Sequence, residues 1–396
     1  LLTVIVVATV TPTPVGSRIR APGDEGPGTG YRRIMARSKE PRRVATLASL
    51  AAELNVSRTT VSNAYNRPDQ LSPEMRERVL HAARARGYPG PDPVARSLRT
   101  RRAGAVGLVL TEALSYSFSD PAAVRFLTGL AEECESAGRG LLLIPAGPAA
   151  TPEDAAAVVQ QAGVDAFVVY SVSDDDPHLT AVRERHLPTV VCDQPRDAAD
   201  TSLVGIDDRT AMRELAEQVF AQGHRSIVVL CMRLRRDRHD GVVDANRLSA
   251  ITFHVQRERI AGVRDAAVAA GVADAFTVVE RFENTRPAGR SAAAEALAAV
   301  PGATAVICTS DVLALGALDH CAAQGISIPD ALSVTGFDGV DDAERAGLTA
   351  VRQPVVEKGR LVGEIVLGVS HSGIDRTEHL PTTLVPGRTL GPPRQN

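Results

Sequence analysis

The sequence has little of what marks disulfide-bonded, metal-binding or membrane proteins. Its five cysteines are scattered over 396 residues without a CxxC pair or metal-ligand spacing, so we expect buried thiols in a reducing cytosol. The apolar residues 1–10 are too few to span a bilayer and have no positively charged flank before them. Neither a membrane span nor a signal peptide is therefore predicted. The expected location is the cytoplasm.

Motifs of common enzyme classes are also missing. The chain contains no GxSxG elbow, no GxxxxGK[ST] phosphate loop and no HExxH helix, which argues against the hydrolases, nucleotide-dependent enzymes and metalloproteases that use them. The nine histidines show no metal-ligand spacing. Aromatic residues make up 3% of the chain and tryptophan is absent, so few rings can stack on a ligand. We expect no enzymatic activity, no metal and no cofactor.

Charge, by contrast, is plentiful and unevenly distributed. Residues 41–103 carry 12 Arg or Lys against 5 Asp or Glu, whereas residues 104–396 carry 26 against 39. A basic segment beside an acidic remainder indicates that contact with a polyanion is confined to one end of the chain. The length of 396 residues, 44% of them hydrophobic, allows two or three domains.

The basic segment predicts three short helices. Apolar residues recur at i, i+3, i+4 and i+7 from Leu47, the spacing of an amphipathic helix. Thr46, Ser57 and Ser72 each stand where a side chain would cap the next helix. Because the first two helices are joined by a tight turn, residues 41–91 are predicted to form a helix-turn-helix headpiece.

The second predicted helix presents side chains that suit DNA. Arginine and asparagine can each hold a base edge through two hydrogen bonds, and hydroxyls reach bases or phosphates. The alternative is an ordinary solvated helix face. The predicted DNA contacts of the headpiece are Thr46, Ser57, Arg58, Thr59, Thr60, Ser62, Asn63, Asn66 and Ser72.

The headpiece also resembles a known family. TLASLAAELNVSRTTVSNAYN followed by LSPEMRERV is similar to the headpiece of the LacI/GalR family of bacterial transcription regulators, whose pattern VSxxTVSxxxN runs here from Val56 to Asn66. With its downstream segments, the resemblance covers about Val44 to the C-terminus. It implies a homodimeric regulator that binds double-stranded operator DNA.

Residues 92–103 are predicted to form a hinge. Pro93 can open a helix over residues 94–98, which is too short to be stable alone in water. The resemblance implies that this helix folds only when two subunits sit on DNA, with Ala95 and Arg96 in the minor groove and Leu98 wedged into a base step. One more residue than the family usually has precedes Pro91, and a basic linker is the alternative reading.

Residues 1–40 do not resemble a domain. Residues 11–30 are rich in Pro and Gly, so we predict a disordered extension over residues 1–40. Met35 begins MARSKEPRR, which suits a natural start. Residues 1–34 are then either an upstream extension from a misplaced start codon or a real flexible tail.

From Ala105 onward, apolar runs of four to six residues alternate with helical stretches. Near-continuous apolar strands are typical of parallel sheets buried on both faces, and their number suggests two doubly wound subdomains. The resemblance implies a body like the periplasmic sugar-binding proteins, with two lobes, three crossovers and an effector in the cleft. Its lobes would be about 104–223 with 354–381, and about 224–353 with 382–396.

Ligands of such folds bind beyond the carboxyl ends of the strands. The candidate cleft residues are therefore those that follow the predicted strands. The resemblance adds that Arg257, in the RxRxxG segment, clamps the effector and that Asp338 accepts from it. Asp311 and Asp207 could instead cap helices. Tyr116 and Phe118 could be loop anchors instead of ligand contacts. The predicted effector contacts are Tyr116, Phe118, Asp120, Ser171, Asp193, Asp207, Arg257, Ser310, Asp311 and Asp338.

Together these features predict a sequence-specific transcription regulator, a repressor, whose operator affinity is controlled by a sugar-like small molecule. The competing classes are a small-molecule carrier without DNA activity and a doubly wound enzyme. The headpiece discriminates between them, because neither alternative needs a basic helix-turn-helix followed by a hinge.

Overall fold

A computed structural model describes residues 4–6, 45–91, 100–110, 114–196, 201–272, 276–368 and 376–394. The chain divides into two compact units, Val10–Arg102 and Ala103–Asn396, the latter with Leu1–Thr9. The predicted hinge contacts Ala95, Arg96 and Leu98 lie outside the described residues.

The described residues of the smaller unit form the α-helices α1 Leu47–Leu54, α2 Arg58–Asn66 and α3 Pro73–Ala85, with a 3₁₀ turn at Pro68–Gln70. The three predicted caps are confirmed, because each side-chain oxygen accepts from a backbone N–H three residues on. Thr46 accepts at 3.2 Å, Ser57 at 2.9 Å and Ser72 at 3.2 Å. Such caps satisfy donors that a helix start leaves open, each stabilising the helix by about 1 kcal/mol.

A small apolar core fixes the angle between these helices. Leu50, Val61 and Val79, one from each helix, are fully buried against one another. The rings of Tyr65 and Tyr88 meet edge to face with centroids 6.1 Å apart and close the base of this core. The polar face of α2 is thereby turned away from the core.

The larger unit contains two parallel sheets, each with seven strands among the described residues. The first has the order β1-β3-β2-β4-β5-β6-β13, and the second the order β14-β12-β11-β10-β7-β9-β8, in which β8 and β14 run antiparallel to their neighbours. The strands are β1 Val4–Val6, β2 Ala105–Leu110, β3 Gly140–Pro145, β4 Ala166–Tyr170, β5 Thr189–Cys192, β6 Ser202–Gly205, β7 Ile227–Met232, β8 Gly241–Val242, β9 Phe276–Arg281, β10 Ala305–Cys308, β11 Ser333–Asp338, β12 Thr349–Arg352, β13 Thr377–His379 and β14 Thr383–Val385.

Helices cover both faces of each sheet, which explains why the strands are apolar throughout. Each sheet therefore has two hydrophobic cores, one per face. The helices are α4 Leu114–Ser117, α5 Pro121–Ser136, α6 Pro152–Gln161, α7 Pro177–Glu184, α8 Asp208–Ala221, α9 Ala245–Ser249, α10 His254–Ala269, α11 Arg286–Ala299, α12 Asp311–Gln324, α13 Asp341–Ala346 and α14 Val355–Gly368. The prediction of two doubly wound lobes is confirmed.

The chain crosses between the lobes three times, after β6, after β12 and after β13. The first crossover lies earlier than the predicted boundary at residue 223. Helix α8 belongs to the second lobe, because Met212, Leu215 and Val219 pack in the same core as β7. Helix α14 returns to the first lobe, where a Cβ on Gly129 of α5 would overlap the carbonyl of Val356, so glycine permits this close helix pair.

Strand β1 departs from the prediction of disorder over residues 1–40. Val4–Val6 pairs in parallel with Leu141–Leu143 at the edge of the first sheet, as β-branched apolar residues can when an edge strand is open. The rest of the predicted extension lies outside the described residues.

Two predictions from composition can also be checked. All five cysteines are buried free thiols, as expected. Within the described ranges, no helix combines the length and apolarity needed to cross a bilayer.

Candidate functional site

The exposed start of α2 is the candidate DNA-reading surface. Arg58 and Thr59, its first two residues, are exposed. Ser57 and Thr60 beside them are joined by a hydroxyl contact of 2.9 Å. A helix start carries positive partial charge from its open N–H groups, so arginine at this end adds to the attraction for phosphate or for the acceptors of a guanine edge.

The remaining predicted DNA contacts are held by neighbours. The Asn66 amide donates to the Ser62 carbonyl at 3.1 Å, and Asn63 donates to the Gln70 side chain at 3.1 Å. Thr46 and Ser72 serve as caps of α1 and α3. These bonds fix the direction of each side chain, and a DNA contact would have to share or replace them.

The candidate effector site is a cavity between the two lobes of the larger unit. The space inside it, counted out to the solvent at its mouth, is about 830 Å³. It lies at the carboxyl ends of the strands, where the doubly wound fold predicts a ligand. Six predicted residues line it, three of them at strand ends: Tyr116, Asp120, Ser171, Asp193, Ser310 and Asp338.

The strand ends are strained at three of these positions. Ser171, Asp193 and Asp338 have φ values of 55°, 68° and 121°, in the region that favours glycine. Non-glycine residues in that region cost on the order of 1–3 kcal/mol and cluster at functional sites. Here the turns place polar side chains on the cavity wall.

Along the cavity wall, a continuous chain of polar contacts joins the lobes. Lys358 of lobe one donates to both oxygens of Asp193, at 2.8 and 2.9 Å, and to the Gln353 carbonyl at 2.8 Å. The Gln353 amide donates to Asp338 of lobe two at 2.7 Å. Arg259 then approaches Asp338 to 3.7 Å. Because Gln353 lies at a crossover, lobe rotation would strain this chain of contacts.

Arg259 also continues the network toward the other crossover. Its Nε donates to Asp208 at 2.9 Å and its Nη1 to the Thr309 carbonyl at 2.6 Å. The guanidinium carbon lies 3.7 Å from the centroid of the Phe337 ring, a cation–π geometry. Burial raises the pKa of Asp208, although Arg259 opposes the shift.

Burial also shifts the ionisation of groups on the cavity wall. Burial, reinforced by Asp338, raises the pKa of Asp120 to about 6, and burial raises the pKa of Asp338 as well. For Lys358, burial works against the charged form, but Asp193 outweighs it and the pKa is raised. Lys358 therefore stays protonated in the closed network, whereas Asp120 titrates near pH 6.

Asn284 takes part in another contact between the lobes. The Tyr116 hydroxyl of lobe one donates to the Asn284 carbonyl of lobe two at 3.1 Å. The Ser310 hydroxyl donates to the Asn284 side chain at 2.6 Å. Asn284 thus positions one residue from each lobe.

Four predicted effector residues do not line the cavity. Phe118 is 56% exposed. Asp207 is an exposed cap of α8, accepting from Thr210 N–H at 3.0 Å. Asp311 is buried below the cavity and accepts from Val340 N–H at 2.8 Å, while Ser310 is the cap of α12.

Arg257 is the fourth, and the structure places its side chain outside the cavity lining. Its side chain is 41% exposed and pairs with Asp174 at 3.2 Å. Arg259, two residues on in the same RxRxxG segment, lines the cavity instead. Two residues turn a helix by about 200°, so the two arginines face opposite ways.

The sequence did contain a signal for Arg259. It shares a helical stripe with Val263 and Ala266, at i+4 and i+7, which are buried, and Arg257 falls off that stripe. Lys358 and Gln353 had no such signal, because they reach the site only through the crossover after β12. Other cavity residues that the prediction missed are Gln194, Arg233, Phe253, Gln256 and Asn284.

Comparison with known proteins identifies the family. Residues 103–366 match the family model described as periplasmic binding proteins and sugar binding domain of LacI family. An HTH-type transcriptional regulator of Mycolicibacterium smegmatis is 57% identical over 365 residues, covering 91% of this chain and 100% of that protein. The chain belongs to the LacI family of transcriptional regulators.

Solved structures of LacI-family proteins share this architecture. A LacI-family regulator from Corynebacterium glutamicum has 40% identity and a TM-score of 0.70, covering 87% of this chain and 98% of that one. The transcriptional regulator CelR in complex with cellobiose has 25% identity and a TM-score of 0.61, covering 87% and 99%. The predicted family and the prediction of a DNA-binding regulator are confirmed.

Proposed function

We propose that this LacI-family regulator is a cytoplasmic homodimeric repressor whose operator affinity is set by an uncharged, sugar-like effector in the interlobe cavity. The observation that carries the choice of ligand is the charge balance of the cavity wall. Three carboxylates and three cations line it: Asp120, Asp193, Asp338, Arg233, Arg259 and Lys358.

Most of these charges already pair within the protein. Asp193 is closed by Lys358, and Asp338 lies between Gln353 and Arg259. A charged ligand would have to separate a buried pair, which leaves an uncompensated charge and is strongly destabilising. A neutral ligand with many hydroxyls can donate to carboxylates and accept from the cations without breaking a pair.

Hydroxyl partners are present on both lobes. Tyr116 and Asp120 approach from lobe one, and Asn284 and Ser310 approach from lobe two. A ligand held from both sides favours the arrangement in which the lobes are close. The similarity to CelR bound to cellobiose supports a sugar-like ligand of this kind.

Coupling to DNA would pass through the hinge. Lobe rotation in each subunit changes the separation of the two segments that follow the headpieces, and hinge helices that are marginal alone respond to that separation. Effector binding would thereby shift operator affinity, by a coupling free energy of typically 1–3 kcal/mol.

The ligand proposal is tested by thermal unfolding against cellobiose, single sugars, cyclic polyols and nucleobases. A ligand at about 100 times its Kd should stabilise the folded state by roughly 2.7 kcal/mol. Asp120→Asn should reduce the shift, whereas Asp207→Asn should not, since both residues cap helices but only Asp120 lines the cavity. Equal loss in both variants would contradict the cavity assignment.

The DNA proposal is tested by selecting bound sequences from a random DNA pool, with and without the stabilising ligand. A two-fold dimer predicts a near-palindrome of two half-sites, and footprinting should protect both. A monomer bound to a single half-site would contradict the dimer, and unchanged occupancy in the presence of ligand would contradict effector control.

A further inference from the structure

The connection between β7 and α10 is unusually long for this fold. Residues 233–253 contain β8 and α9, whereas strand-to-helix connections in α/β units usually have about 2–6 residues. We call residues 233–253 the strap. It begins and ends at the cavity, because both Arg233 and Phe253 line the wall.

A buried carboxylate from the neighbouring strand holds both halves of the strap. Glu280 of β9 is fully buried and accepts from the backbone N–H of Leu234 at 2.9 Å. The same carboxylate receives Arg247 through two bonds, at 2.5 and 2.8 Å. Paired bonds of this kind are strong and directional, so Glu280 fixes the strap to lobe two.

The outer side of the strap reaches the other lobe. Arg236 donates to the Ala150 carbonyl at 2.7 Å and to the Asp175 carbonyl at 3.3 Å. Near the far end of the strap, the Thr252 carbonyl accepts from the backbone N–H of Asp174 at 2.8 Å. These bonds cross from lobe two to lobe one.

The inner side of the strap is packed against aromatic rings. The guanidinium carbon of Arg233 lies 5.6 Å from the centroid of Phe253 and 5.0 Å from that of Phe282. Burial lowers the pKa of Arg233 to about 10, so it remains protonated at neutral pH. A ligand that displaced Arg233 or Phe253 would therefore move the base of the strap.

We propose that the strap is an interlobe latch, in which Arg236 fastens lobe two to lobe one and Glu280 is the positioning residue. The strap then has two tasks: its inner residues form part of the effector site, and its outer residues set how readily that site opens. The first task rests on the proposed function; the second is a property of the lobes alone and can be tested without a ligand.

The test measures the distance between the lobes in the full-length, ligand-free protein by pulsed electron–electron double resonance. Ala157→Cys on α6 and Ala294→Cys on α11 place spin labels at exposed positions, one on each lobe. The five native cysteines are buried, so labelling should be confined to the introduced pair. Mixing with excess unlabelled protein gives dimers that contain one labelled chain, so that the measured distance lies within that chain.

Arg236→Ala should move the distribution to longer distances and broaden it. Arg235→Ala is the matched control, because Arg235 pairs at 2.9 Å with Asp237 inside the strap, and it should leave the distribution unchanged. Glu280→Gln should change the distance distribution as Arg236→Ala does. Arg236→Lys should give a distribution between those of the wild type and Arg236→Ala, since lysine is a point charge without the two-pronged geometry of arginine.

An unchanged distribution in both Arg236→Ala and Glu280→Gln would overturn the latch. So would an equal change in Arg235→Ala. Circular dichroism separates misfolding from opening, and Arg236→Lys keeps the test decisive if the alanine variant unfolds. Because no effector or operator enters the measurement, its failure is distinguishable from a failure to find a sugar or a palindrome.

Discussion

The headpiece and the interlobe cavity place functional residues in opposite ways. In the headpiece the candidate DNA contacts fall within residues 46–72, and those that begin α2 are exposed. In the cavity the polar groups come from residues as far apart as Tyr116 and Lys358, and most are buried. Neighbours in the chain are neighbours in space only in the first case.

The same difference appears in how charges are held. In the headpiece, Arg86 and Glu53 meet at 3.0 Å with side chains 60% and 41% exposed. In the cavity, Lys358 and Asp193 meet at 2.8 Å with side chains 2% and 11% exposed. Water screens the first pair and hardly reaches the second. An ion pair should therefore contribute very differently to the free energy of unfolding in the two regions.

The largest expected effect tests whether DNA binding is confined to the headpiece. Removing residues 1–103 should abolish operator binding and leave ligand binding intact, because the basic charge lies in that segment. For the full chain, operator affinity should fall roughly 10³-fold between about 50 and 200 mM salt if several phosphates are contacted. Fluorescence anisotropy measures both, and a nearly flat salt response would count against the headpiece.

The next effect compares the two ion pairs directly. Lys358→Met should lower the free energy of unfolding by about 3–5 kcal/mol, since it leaves Asp193 buried without its cation. Arg86→Ala should change it by less than about 1 kcal/mol, as exposed pairs do. Urea denaturation followed by circular dichroism measures both. Similar losses in the two variants would refute the claimed contrast.

This contrast explains how much the sequence could predict. The caps and the apolar stripe of the headpiece were predictable because both depend on spacings of three or four residues. The strands were predictable from their apolar runs. Six of the ten predicted effector residues line the cavity because the segments that follow parallel strands meet at one edge. The role of Lys358 was not, since nothing local distinguishes it from a surface lysine on an amphipathic helix. Likewise, α8 joined lobe two because of its apolar face.

A third effect concerns pH and again sets a buried group against an exposed one. Burial, with Asp338, raises the pKa of Asp120 to about 6. The folded state then binds this proton more tightly than the unfolded state, so Asp120 favours folding at low pH. That contribution, at most about 3 kcal/mol, should be lost as pH rises from roughly 4 to 6. Asp120→Asn should remove this pH-dependent contribution from the free energy of unfolding, as measured by urea denaturation at a series of pH values.

Asp207 provides the matched control, with the opposite sign. Burial pushes the pKa of Asp207 upward, but bonds from Thr210 outweigh it and the pKa is lowered. Its contribution should be present above the unfolded pKa and lost on acidification. Asp207→Asn should therefore cost stability at pH 7, and this cost should shrink as the pH falls below the unfolded pKa. The same pH profile in both variants would show that burial does not separate these two caps.

A smaller effect concerns base choice at the exposed start of α2. Arg58→Ala should weaken operator binding by roughly 1–3 kcal/mol and relax the preference at one base pair in each half-site, with G·C expected there. Arg86→Ala should leave the preference unchanged, because it removes a charge away from α2. Sequence selection with each variant gives the answer. Uniform weakening of all sequences would make Arg58 a phosphate contact.

The smallest expected effect is the one that separates Arg257 from Arg259. Arg257 is partly exposed and pairs with Asp174, so Arg257→Ala should change ligand affinity little, within the ~1 kcal/mol of an exposed pair. Arg259→Lys keeps a charge beside Asp208 but loses the planar fork that also reaches the Thr309 carbonyl. It should weaken binding of the sugar found in the thermal screen, as calorimetry would show. The opposite result would be loss of ligand response in Arg257→Ala with normal binding in Arg259→Lys. It would show that Arg257 contacts the effector, in a cleft whose lobes are arranged differently from those described here.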